Sequence, residues 1–84
     1  MNQEIALSAL RPGGEAALRR METTGAARRR LRELGFVEGA RVRCLGRSFG
    51  GRIAAYAVGG GVFALRDSEG DKIYVNQIRG GDST

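Results

Sequence analysis

The run Ala26-Ala27-Arg28-Arg29-Arg30-Leu31-Arg32-Glu33-Leu34-Gly35-Phe36-Val37-Glu38-Gly39 carries the local argument for the fold. Alanine, leucine and arginine are strong helix formers. Ala27, Leu31 and Leu34 recur at i, i+4 and i+7, one apolar stripe of an amphipathic helix. Thr23 or Thr24 stands where an N-cap oxygen is needed. The other end is better defined. Gly35 can take the left-handed conformation at C′, where a Cβ would be penalised. Leu31 is then C3 and Phe36 is C″, the apolar pair that closes a Schellman cap. Val37-Glu38-Gly39-Ala40 follows as a tight turn, with Gly39 supplying positive φ.

Outward from this helix, glycines divide the chain into strand-sized pieces. Towards the N-terminus, Arg11-Pro12-Gly13-Gly14 is a turn signal, and Leu7 and Leu10 before it are placed to cover one end of the core. Glu15–Met21 reads as a strand with a bulge near Arg19-Arg20, because Met21 breaks alternation with Leu18. Towards the C-terminus, Arg41–Leu45 reads as a strand with Val42 and Cys44 inward and Arg41 and Arg43 outward. Ser48-Phe49-Gly50-Gly51 is a loop. Arg52–Val58 and Val62–Leu65 form a hairpin turned by Gly59-Gly60-Gly61. An acidic turn over Asp67–Asp71 leads to a last short strand, Ile73-Tyr74-Val75, and to a polar, frayed tail from Asn76 onward. The expectation is one mainly β domain over residues 1–84, its core about 5–76 and its tail 77–84. It is a small barrel of about five short strands with one helix between the first two, since strands so short need closure.

With 84 residues the chain supports one thin core and lacks the volume for a deep, walled cleft. No histidine is present, which removes the commonest general base and metal ligand. Cys44 is the lone cysteine and shares the apolar face with Val42, the place of a core residue. Asp67, Glu69 and Asp71 lack the continuation of a metal loop. Gly59-Gly60-Gly61 lacks the Lys-Ser/Thr of a nucleotide loop and leads into a strand. No catalytic, cofactor or metal residue is assigned, and an enzyme is not expected. The opening Met1-Asn2-Gln3-Glu4 is not a signal-peptide pattern, and no apolar run approaches a membrane span. A cytoplasmic protein without membrane insertion is expected.

The net charge is +5, almost entirely from arginine. Arg28, Arg29 and Arg32 fall on the outer face of the helix, with Arg30 flanking the apolar stripe. They are the candidate docking patch for an acidic partner. The alternative is a small basic barrel that binds nucleic acid or another regulatory protein, although few aromatics remain to stack on bases. An exposed strand could also pair with a second copy of the chain.

Leu7-x-x-Leu10-x-Pro12-Gly13, Arg30-Leu31-x-Glu33-Leu34-Gly35-Phe36-x-x-Gly39, Ala64-Leu65-Arg66 and Ile73-x-Val75 occur in the order of the FeoA family, which the chain resembles from Ile5 to Val75. The resemblance implies an SH3-like β-barrel carrying one helix. It implies a small cytosolic partner of the FeoB transporter in bacterial ferrous iron uptake, docked near the transporter's GTP-binding domain. The same barrel type ends iron-dependent repressors of the diphtheria-toxin-repressor kind, but no helix-turn-helix segment is present here. Two departures stand out. Ser48-Phe49-Gly50-Gly51 lacks the family's loop prolines, which implies a looser loop. Glu69-Gly70-Asp71 replaces small apolar residues, which implies an exposed stretch of barrel rim.

Overall fold

The computed structural model describes residues 4–48 and 50–80. Expectations for Met1–Gln3, for Phe49 and for the end of the tail at 81–84 lie outside them. Six strands form a single sheet: β1 (Glu4–Ala6), β2 (Glu15–Met21), β3 (Arg41–Arg47), β4 (Ile53–Val58), β5 (Gly61–Arg66) and β6 (Ile73–Arg79). A 3-10 turn, Leu7–Ala9, follows β1. Helix α1 (Gly25–Leu34) joins β2 to β3, and the one-turn helix α2 (Asp67–Gly70) joins β5 to β6.

The strand order is β1-β6-β2-β3-β4-β5, every pair antiparallel. The sheet curls into an SH3-like half-barrel with β1 and β5 as unpaired edges among the described residues, so the fold class is as expected but the closure expected of such short strands is not made. The count of strands exceeds the expectation because three residues, Glu4–Ala6, pair with Tyr74–Asn76 of β6. The helix therefore follows the second strand. The polar stretch after Val75 is also not loose at its start. Asn76, Gln77 and Arg79 pair with Ala17, Ala16 and Glu15 of β2, so β6 continues to Arg79. Their polarity is compatible with a strand because the neighbouring strands satisfy the backbone whatever the side chain.

One core fills the curl. Leu7, Leu10, Leu18, Leu31, Phe36, Val42, Cys44, Tyr56, Leu65, Ile73 and Val75 are all buried in it. Cys44 is a core residue, and desolvation pushes its thiol above the ordinary range. Burial likewise pushes the Tyr56 phenol up to about 12. Its hydroxyl donates to the Leu7 carbonyl at 3.3 Å, tying β4 to the 3-10 turn.

Two bulges aim side chains. In β2 the register against β6 shifts between Leu18 and Arg20, the bulge expected there. It sets Arg20 opposite Tyr74, with the guanidinium 4.1 Å from the ring centroid. In β3 the register against β4 shifts between Cys44 and Gly46. Leu45 is the extra residue and stands exposed, while Arg47 comes level with buried Ala54 on the inward side. The strand thus runs two residues past its expected end.

Candidate functional site

Helix α1 ends as the sequence requires. Gly35 has φ 113, its N–H donates to the Arg32 carbonyl at 3.0 Å, and the Phe36 N–H donates to the Leu31 carbonyl at 3.0 Å. These are the two bonds of a Schellman cap. The turn places Phe36 in the core beside Leu31. Gly35 has a second task. A Cβ there would lie 3.3 Å from the Gly59 Cα, so the helix end and the β4–β5 hairpin tip touch backbone to backbone.

The start of the helix is weaker. Thr24 is the N-cap residue, but its side chain makes no capping bond, and the Thr23 hydroxyl oxygen is buried without a partner. The apolar stripe is also shorter than expected. Leu31 is buried and Leu34 half-buried, but Ala27 is exposed, so only the C-terminal half of α1 packs on the barrel. Everything from Gly25 to Arg30 lies at the surface.

On that helix, Arg28, Arg29 and Arg32 line one shallow groove together with Gly25, Glu33 and Val37. The structure brings the three candidate docking residues onto a common face. Arg28 also reaches back to the Met21 carbonyl at 3.3 Å. Arg30 points the other way and pairs with Glu69 of α2 at 3.0 Å. Leu31, Leu34, Gly35, Phe36 and Gly39 are the structural set: three shape the cap and core, Leu34 packs at the rim, and Gly39 holds φ 86 in the turn.

The acidic segment is not an open turn. Asp67–Gly70 forms α2, and each carboxylate faces a different neighbour. Asp67 pairs with Arg47 at 2.9 Å, Glu69 takes Arg30 and the Arg66 N–H, and Asp71 accepts from the Ser8 hydroxyl. Among the described residues no three His, Cys, Asp or Glu side chains gather as a metal site. The departure from the family pattern exposes this rim only in part, for Asp71 is exposed and Gly70 is not. Gly70 is buried, and a Cβ on it would stand 3.1 Å from the Ser8 nitrogen. Asp71 fastens the 3-10 turn directly and Asp67 does so through Arg47, while Glu69 ties α2 to α1. Arg47 completes the fastening by donating to the Gly51 carbonyl at 3.1 Å and to the Ser8 carbonyl.

Sequence reasoning passed over a second basic surface. From Ala40 to Arg66 the chain contains no Asp or Glu and five arginines. The remaining residues balance, nine basic against nine acidic, so the whole net charge of +5 belongs to the β3–β5 half. The signal was legible as an acid-free stretch, but the denser Arg28–Arg32 run masks it. The aromatic side chains offer no stacking platform among the described residues: Phe36 and Tyr56 are buried, and Phe63 and Tyr74 half-buried. No helix among the described residues is long and apolar enough to cross a membrane.

Comparison with known proteins agrees with this geometry. A family model described as the FeoA domain matches residues 5–77. FeoA from Stenotrophomonas maltophilia, an SH3-domain protein crystallised with zinc, is 36% identical, with a TM-score of 0.78 over 89% of this chain and 96% of its own. FeoA from Chlorobium tepidum is 30% identical, with a TM-score of 0.84 over 94% of this chain and 74% of its own. A manganese-dependent transcriptional repressor shares the fold at 19% identity, with a TM-score of 0.79 over 93% of this chain and 44% of its own. A search of curated proteins returns no match.

Proposed function

The chain belongs to the FeoA family, whose proteins serve ferrous iron transport, and from that membership we propose that it docks on the cytoplasmic region of an FeoB-type membrane GTPase transporter. It acts there as a cytoplasmic accessory protein, by binding and not by catalysis. The observation that carries the reading is the division of labour on α1. Leu31 and Leu34 hold the helix to the barrel, which leaves Arg28, Arg29 and Arg32 together on an exposed face whose one recorded contact among the described residues is Arg28 with the Met21 carbonyl. Solvent-facing arginines contribute little to folding. Across an interface they steer an acidic partner and set its orientation. The missing histidine and the buried Cys44 support a binding role over a catalytic one.

Ferrous iron uptake by intact cells tests this reading. In cells whose own copy is replaced by the Arg28→Ala, Arg29→Ala, Arg32→Ala variant, uptake falls to the level of cells lacking the protein while the variant accumulates normally. Undiminished uptake would reject the helix face as the docking surface.

A further inference from the structure

We propose that the free edge of β5 takes up an extended segment of another polypeptide in which apolar residues alternate with carboxylates. The site is separate from the outer face of α1 and does not depend on docking there.

Backbone geometry supplies the first argument. Gly59 and Gly60, at φ 58 and 85, form a two-residue turn, so Val58 and Gly61 are the pair whose hydrogen bond closes the hairpin. Alternation along an antiparallel ladder then directs the backbone groups of Gly61, Phe63 and Leu65 towards β4 and those of Val62, Ala64 and Arg66 away from it. The Arg66 N–H agrees, donating to Glu69 Oε1 at 2.9 Å. β5 is the last strand of the sheet, so the N–H and C=O groups of Val62 and Ala64 have no strand partner among the described residues. Natural edges are usually blunted by a proline, a bulge or an inward charge. Here the β4–β5 register runs unbroken from Ile53↔Arg66 to Val58↔Gly61, and β5 holds no proline.

The side chains supply the second. Val62 is 61% exposed and stands in one row with Ala57 and Arg43. Leu45 and Ile53 are exposed on the same strands. Charge then selects the occupant. Arg41 is paired with Glu15 and Arg47 with Asp67, which leaves Arg43, Arg52 and Arg66 without a carboxylate partner among the described residues. A second copy would bring like charge to the edge, since Arg66 lies on β5 itself. Arg43 and Arg66 share the outward face with Val62, so an added strand turns its carboxylates to that face and its alternate apolar side chains to the opposite one, beside half-buried Phe63, while its backbone completes the edge.

The test is a heteronuclear NMR titration of the full chain with a synthetic ten-residue peptide alternating valine and glutamate, against its lysine-for-glutamate counterpart. The glutamate peptide shifts the Val62 and Ala64 amides and slows their exchange, and the lysine peptide does neither. Val62→Glu, at an exposed position, weakens binding at least about tenfold. Ala64→Pro removes an outward N–H that an edge strand can spare, and abolishes binding. If Ala64→Pro fails to fold, Val62→Glu decides alone. The triple helix variant binds the peptide as wild type does, which keeps this site distinct from the one proposed on α1. Four results would overturn the proposal: no amide response at millimolar peptide, equal response to both peptides, indifference to Val62→Glu, or self-association of the chain that Val62→Glu removes.

Discussion

Gly35 combines two demands that only glycine meets together. Its φ of 113 favours glycine, and a Cβ would press on Gly59 at 3.3 Å. Gly35→Ala is expected to cost about 1–3 kcal/mol in urea unfolding. Gly60→Asn is the contrast: φ is 85 and no atom lies within 4 Å of the added Cβ, and asparagine tolerates such angles, so the loss stays below about 1 kcal/mol. The first demand was readable from a glycine after Leu34. The second was not, because it depends on a hairpin tip distant in sequence. Cys44 and Tyr56 make a further prediction. Both groups hold their protons more tightly folded than unfolded, so the stability they lend is complete below the unfolded values and drains as pH rises past them. Alkaline titration followed by circular dichroism should show stability falling from about pH 9 towards about 12. Stability that holds constant across that range would mean that neither group is buried as described.

Among the elements, α1 and the 3-10 turn are held in opposite ways. Helix α1 packs its apolar side chains by one end and is otherwise held only by exposed polar contacts of Arg28 and Arg30, whereas the 3-10 turn is fastened by Arg47, Tyr56 and the segment of α2 with Asp71. The bulge at Leu45 makes this fastening possible by carrying Arg47 inward. Arg47→Ala is therefore expected to remove about 1–3 kcal/mol. Hydrogen exchange should localise the effect. Amides that depend on the clamp, such as Leu10 bonded to Leu7 and Ser48 bonded to Ile53, should lose protection, while those of α1 keep theirs. The alternation Val42, Cys44 was legible, and the strand's continuation was not. A bulge reverses the facing of every later residue, so period-two reading stops where the register shifts. The hairpin misreading was smaller: Gly61 opens β5 and does not belong to the turn, because two left-handed glycines already complete it.

For the molecule as a whole, the sequence revealed the fold class, the helix stop and the main core face, because each follows from local pattern. What it hid depends on pairing across the chain. Asn76–Arg79 look like a tail until β2 is set beside them, and within Glu69-Gly70-Asp71 the burial of Gly70 shows only when Ser8 is packed against it. Charge behaved likewise. The helix arginines were conspicuous in sequence, yet the uncompensated charge lies on β3–β5. The account at this scale is a protein-docking module whose helix stays exposed because its barrel needs only the helix's C-terminal end. Calorimetric titration of the cytoplasmic region of an FeoB-type transporter tests that claim most directly. The account predicts binding that weakens as salt rises, and a loss of at least about tenfold in affinity for Arg28→Ala, Arg29→Ala, Arg32→Ala with its melting curve unchanged. Equal affinity for wild type and variant at every salt concentration would contradict it.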